Sequence, residues 1–120
     1  MTQVYFTKTL AWAEPVVPKD LWEEWLARAL TLAPRRTDLA IPFLTYEAVN
    51  GHDDHVRAMA RSFLARDRYD AVGLYFLGLE NVRAGDQVGL DMLRRSVDHG
   101  IELYMPLDPQ VRTILYPVQN

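Results

Sequence analysis

Apolar side chains recur at helical spacing in several stretches of this chain. In residues 20–31, one helix face carries Leu21, Trp22, Trp25, Leu26, Ala29 and Leu30 at i, i+3 and i+4 intervals. Comparable patterns predict helices over residues 38–49, 54–66, 69–84 and 87–99, and a short helix over 110–115. The pattern therefore predicts an all-α fold.

Proline and glycine mark the boundaries between these stretches. The breaks lie at Pro15, Pro18, Pro34, Gly51, Gly85 and Gly100. Proline lacks a backbone donor, and glycine readily adopts the left-handed conformation that ends many helices. The candidate N-caps are Thr37, Asp38, Asp53 and Asp54. Residues 1–12 stay open, because Val4 to Thr7 favour a strand while Phe6 and Leu10 also fit a helix face.

Two predicted turns lie 34 residues apart, at Gly51 and Gly85. The same offset superposes three sets of apolar residues: Trp22, Val56 and Leu90; Trp25, Met59 and Leu93; Ala29, Phe63 and Val97. A helix-turn-helix unit of this length cannot bury its own apolar face, so successive units are expected to stack. The predicted units are residues 3–36, 37–70 and 71–104, with 105–120 as a partly irregular capping segment of one domain.

Two stretches resemble the tetratricopeptide repeat (TPR) motif. Residues 28–34, Arg-Ala-Leu-Thr-Leu-Ala-Pro, are similar to the end of that motif, and Leu74, Leu77-Gly78 and Gly85-Asp86 to its first helix and turn. Leu44 departs from the motif, because a small residue is usual there, and no proline closes the second and third units. The resemblance implies a right-handed solenoid of about three antiparallel helix pairs, in which Gly78 lets two helices approach closely.

The first helices of TPR pairs line a concave groove. The resemblance places there Ile41, Thr45, Val72, Tyr75, Phe76, Leu79 and Arg83. The family's carboxylate clamps use lysine and asparagine at such positions, whereas these residues are mostly apolar, so an apolar helix or extended protein segment is the implied ligand. The chain's own end, between Leu103 and Tyr116, is an equal candidate to cover the groove, and a homodimer is the further alternative.

A narrower resemblance concerns residues 32–36, Leu77-Gly78, Gly85 and residues 96–100. They are similar to the TPR tails that follow the membrane spans of O-antigen ligase and polymerase-like bacterial proteins. The chemistry of that family resides in its membrane portion, so this resemblance implies an accessory domain of glycan assembly without catalytic residues of its own. A free-standing domain would be cytoplasmic, and such a tail would be periplasmic.

Composition narrows the function classes. The 120 residues are 49% hydrophobic and carry a formal net charge of −3, with no cysteine. One packed domain is expected, and a broad basic surface for nucleic acid is not. Disulfides and thiolate metal sites are excluded. Because no apolar run approaches the ~20 residues of a membrane-spanning helix, no direct membrane insertion is expected.

Few residues suggest a metal site or a catalytic site. The tract His52-Asp53-Asp54-His55 has metal-ligand side chains, but aspartates in an inter-helix turn commonly cap helices, so we expect a structural role and neither metal nor cofactor. Glu80 and Asp91 could approach each other across a helix pair, yet no nucleophile motif accompanies them, and we expect no catalytic residue. Trp22 and Trp25 are expected in the core, as are Leu77 and Leu93.

Overall fold

The computed structural model describes residues 19–117, in which every regular element is helical. The α-helices of this range are α1 (Lys19–Leu32), α2 (Ile41–Val49), α3 (Asp53–Arg66), α4 (Ala71–Arg83), α5 (Val88–Asp98) and α6 (Pro109–Leu115). Short 3-10 helices lie at Thr37–Ala40 and Ile101–Leu103. The predicted all-α class is confirmed for these residues. The open question of whether residues 1–12 form a strand or a helix falls outside the described range.

The helices recur at the 34-residue interval seen in the sequence. The first residues of α1 and α3, Lys19 and Asp53, are 34 positions apart, and so are their last residues, Leu32 and Arg66. The 3-10 helix at Thr37–Ala40 continues into α2, and together they span residues 37–49, which lie 34 positions before α4. Residues 34 positions apart in the sequence therefore lie in corresponding helices of successive units.

The turns after α2 and α4 share one backbone conformation. Gly51 and Gly85 have φ angles of +77° and +84°, which side-chain-bearing residues rarely adopt. Each glycine N–H donates to the carbonyl three residues earlier, Ala48 at 3.2 Å and Val82 at 3.0 Å. The prediction that these glycines end helices in equivalent turns is confirmed.

Helix α4 lies at the centre of the core. Every residue of its first ten, 71–80, is buried, because α4 packs against α3 on one side and α5 on the other. Leu77 is 8% exposed and Leu93, on α5, is fully buried, as predicted. The core residues of the neighbouring helices include Leu26, Phe43, Leu44, Val56, Ala60 and Phe63.

Helices α4 and α5 cross in backbone contact at two glycines. A Cβ atom placed on Gly78 would lie 3.0 Å from the Gly89 carbonyl oxygen, and one on Gly89 only 2.5 Å from the Gly78 carbonyl oxygen. The predicted close approach at Gly78 is confirmed. Its counterpart Gly89, which the sequence analysis did not single out, is the tighter of the two positions.

The starts of α2, α3 and α4 differ from prediction. Neither Thr37 nor Asp38 is an N-cap, because Arg36 caps the 3-10 helix and Ala40 caps α2. The N-cap of α3 is His52, without a side-chain cap bond, so the prediction that Asp53 or Asp54 caps this helix is wrong. Both aspartates lie instead in the first turn, where negative charge favours the helix dipole. Helix α4 begins at residue 71 rather than 69, because the Asp70 carboxylate accepts a hydrogen bond from the Gly73 N–H at 2.9 Å.

Both Trp22 and Trp25 were predicted to lie in the core. This prediction is correct in part for Trp22 and wrong for Trp25. Trp22 is half-buried, and its ring centroid lies 6.5 Å from that of Phe43. Trp25 is 57% exposed. Among the described residues, α1 has its main contacts with the Thr37–Ala40 helix. The face of α1 that bears Trp25 is therefore not covered by a long neighbouring helix, whereas the face of α5 that bears Leu93 packs against α4.

Candidate functional site

A pocket of about 290 Å³ opens between α2, α4 and the segment before α6. Its lining residues are Thr45, Ala48 and Val49 of α2, Tyr75, Phe76, Leu79 and Arg83 of α4, and Met105 to Pro109 of the segment. Five of the seven predicted groove residues therefore meet here: Thr45, Tyr75, Phe76, Leu79 and Arg83. Helices α2 and α4 supply them.

The other two predicted groove residues lie outside the pocket. Val72 is 1% exposed and belongs to the core, and Ile41 is partly buried against the same core. The described surface is thus narrower than the groove predicted from the resemblance. The burial of Val72 depends on how α4 packs against its neighbouring helices. Its position in the repeat does not determine that packing.

Tyr75 joins the pocket floor to the C-terminal segment. The side chain is 1% exposed, and its oxygen accepts a hydrogen bond from the Asp108 N–H at 2.9 Å. Burial raises the pKa of Tyr75 because the phenolate would lose its hydration, while the Asp108 hydrogen bond acts in the opposite direction. Leu107 and Val111 are buried on either side of this contact. The segment therefore forms one wall of the pocket.

The pocket has an apolar floor and a polar rim. Phe76 and Leu79 are 3% and 8% exposed, so they present edges and not whole side chains to the opening. Thr45 and Arg83 are exposed, and Arg83 is the cation among the residues that line the pocket. This arrangement suits one or two apolar side chains of a ligand, with a carboxylate nearby.

A wider pocket, of about 540 Å³, lies on α1. The described residues that line it are Leu21, Trp22, Glu24, Trp25 and Arg28. All of them belong to one helix, and Leu21 and Trp25 are more than half exposed. The smaller pocket is lined by three separate parts of the described chain, so we take it as the candidate site.

The predicted approach of Glu80 to Asp91 is not seen among the described contacts. Glu80 is 2% exposed and faces α3, where its Oε1 lies 3.9 Å from Arg57 Nε and Asp53 is a further neighbour. Asp91 pairs with Arg95 at 3.0 Å on an exposed face of α5. The described contacts of the two carboxylates therefore lie in different surroundings.

The environment of Glu80 predicts a pH effect on stability. Burial raises the pKa of Glu80 and the Asp53 carboxylate raises it further, whereas Arg57 and Arg83 lower it. The folded chain thus holds this proton more tightly than the unfolded chain, and stability is lost as pH rises through the folded-state pKa. Glutamine carries no such proton, so the free energy of unfolding of Glu80→Gln minus that of the unaltered chain should increase as the pH rises from about 4 to about 7.

Urea denaturation at several pH values measures this difference. The control is Glu24→Gln, because the Glu24 side chain is 66% exposed and its substitution should give a difference that changes little with pH. A difference for Glu80→Gln that stays constant over this range, or moves the other way, would contradict the prediction.

The two histidines of the tract contact Glu47, a residue that was not predicted to belong to a site. His52 and His55 both contact the carboxylate of Glu47, which is fully buried on α2. The available signal was a carboxylate on a mostly apolar helix, shortly before the turn. The tract alone did not show it, because the reversal of the chain at Gly51 is what returns α3 toward Glu47.

No helix between residues 19 and 117 is long and apolar enough to span a bilayer. Comparisons of the chain with protein-family models, with curated proteins and with solved structures found no match.

Proposed function

We propose that this domain is a non-catalytic protein-interaction module, which binds an apolar segment of another protein in the pocket between α2 and α4. The pocket's composition carries the proposal, because Tyr75, Phe76 and Leu79 form an apolar floor and Arg83 stands at the rim. Apolar anchors in a concave site provide affinity, and a single cation selects for a ligand carboxylate near the anchor.

The repeat geometry supports a TPR-like stack as the framework of this module. Helices recur at 34-residue intervals, the turns at Gly51 and Gly85 are alike, and the first helices of two successive pairs line one pocket. Residues 105–117 follow α4 by the same interval, and the first five of them, 105–109, form the third wall. Attachment to a bacterial glycan ligase or polymerase stays a prediction, as do the compartment and the homodimer.

Selection from a displayed library of random peptides tests the proposal. We expect enriched peptides to combine apolar residues with an acidic residue, and to lose at least tenfold in affinity for Thr45→Trp, which fills the pocket, and for Arg83→Glu, which reverses the rim charge. Both residues are exposed, so the fold should tolerate these changes. Fluorescence anisotropy with labelled peptides measures the affinities.

The matched control is Arg94→Glu, a charge reversal at an exposed position of α5 that does not line the pocket. It should leave peptide affinity within about twofold. If no peptide is enriched, or if Arg94→Glu weakens binding as much as Arg83→Glu does, the pocket is not the binding site and the proposed function is wrong.

A further inference from the structure

A buried carboxylate and two imidazoles meet where α2 turns into α3. Glu47 lies in the last turn of α2 and is fully buried, His52 is the N-cap of α3 and His55 lies in its first turn. His52 Nδ1 lies 3.0 Å from Glu47 Oε2, and His55 Nδ1 lies 2.5 Å from Glu47 Oε1. Each carboxylate oxygen therefore faces a different imidazole.

The backbone holds these three residues in register. The His52 N–H donates to the Glu47 carbonyl oxygen at 2.8 Å, and the Val56 N–H donates to the His52 carbonyl oxygen at 3.2 Å. Gly51, with its positive φ, makes the reversal between them possible. Two helices that pack on a common core thus position the ligand atoms, so the cluster does not depend on a long loop.

We propose that Glu47, His52 and His55 form a binding site for a divalent transition metal ion, with Zn²⁺ as the best match. One nitrogen of each histidine and one carboxylate oxygen all lie within 4.8 Å of one another. Zn²⁺ binds such atoms at about 2.0–2.2 Å, so widening the shorter Nδ1–oxygen contact by roughly 1 Å admits the ion. Two imidazoles and one carboxylate are a known zinc ligand set, and water completes the tetrahedron.

The ligand chemistry selects against other common cations. Mg²⁺ and Ca²⁺ prefer shells of oxygen atoms, whereas two of these three ligands are imidazole nitrogens. The side chains of His52 and His55 are 43% and 42% exposed, which gives the ion a route from solvent.

The surrounding charges are compatible with a cation. The N-terminal end of α3 carries the positive pole of the helix dipole, but Asp53 and Asp54 occupy the same turn and offset it. Coordination uses the Nδ1 lone pairs, so a proton on either Nδ1 passes to Nε2 or to solvent as the ion binds. No change of oxidation state is involved.

Calorimetric titration of the chain with zinc chloride tests the site, with circular dichroism to verify the fold of each variant. We expect one equivalent to bind, and His52→Ala and His55→Ala each to lower the affinity at least tenfold. Both substitutions alter half-exposed side chains, so they should leave the helices intact. Glu47→Gln, which keeps the side-chain volume, should also weaken binding.

The control is His99→Ala, because His99 is exposed and its ring stacks near Tyr69, with centroids 5.1 Å apart, away from this cluster. This variant should bind zinc as the unaltered chain does. Co²⁺ added in place of zinc should produce the visible absorption of a four-coordinate ion, and His52→Ala should abolish it. Absence of saturable zinc binding, or equal loss in His99→Ala and His52→Ala, would overturn the assignment.

Discussion

Shortening Leu93 to alanine is expected to lower the free energy of unfolding by about 2–5 kcal/mol. Leu93 is fully buried on α5, which packs against the central helix α4. The substitution removes apolar contacts and leaves a cavity that neighbouring helices fill only in part. A urea denaturation curve followed by circular dichroism measures the change.

The matched control is Leu32→Ala, the same substitution at a residue that is 81% exposed at the end of α1. We expect it to change the free energy of unfolding by no more than about 0.5 kcal/mol. If the two variants unfold at the same urea concentration, Leu93 does not support the contact between α4 and α5 as described.

Replacing Gly89 with alanine is expected to destabilise the fold by about 1–3 kcal/mol, although alanine is the better helix former by about 1 kcal/mol. The new Cβ atom would lie 2.5 Å from the Gly78 carbonyl oxygen and 2.7 Å from the Val82 backbone nitrogen. Backbone atoms cannot rotate away as a side chain can, so α4 and α5 have to separate and lose contact along their length.

Gly78→Ala provides a graded comparison on the opposite helix. Its Cβ would meet the Gly89 carbonyl oxygen and the Met92 Cβ at 3.0 Å, which smaller shifts relieve, so we expect a smaller loss than for Gly89→Ala. Thermal unfolding of both variants gives the order. A Gly89→Ala protein as stable as the unaltered chain would show that the crossing is looser than described.

The positions of the helices could be predicted closely from the sequence, because they depend on local backbone chemistry. The prediction of residues 20–31 corresponds to α1 at Lys19–Leu32, and that of 110–115 to α6 at Pro109–Leu115. The predicted start at residue 38 lies in the 3-10 helix, three residues before α2, and the predicted start at residue 69 lies two residues before α4. There the Asp70 cap decides the first residue, and the apolar pattern extends past it.

Burial was predicted less well, because it depends on which surfaces meet. Leu93 and Trp25 share one register of the 34-residue repeat, yet Leu93 is fully buried and Trp25 is 57% exposed. Val72 was expected to line an open groove and is instead 1% exposed within the core, and Tyr75, although it lines the pocket, is also only 1% exposed. A periodic pattern identifies the apolar face of a helix, whereas the neighbouring helices decide how much of that face is covered.

The candidate sites show the same division. Five pocket residues were found by their positions in the repeat, but the wall formed by Met105 to Pro109 depends on how the chain returns to Tyr75. Glu47 was missed because only the packing of α2 on α3 brings its carboxylate to His52 and His55. By itself the sequence determined the helices, their turns and the 34-residue period, since these follow from nearby residues. Only the tertiary structure decided the buried carboxylates, the glycine crossing and the pocket, since each requires atoms from separate helices.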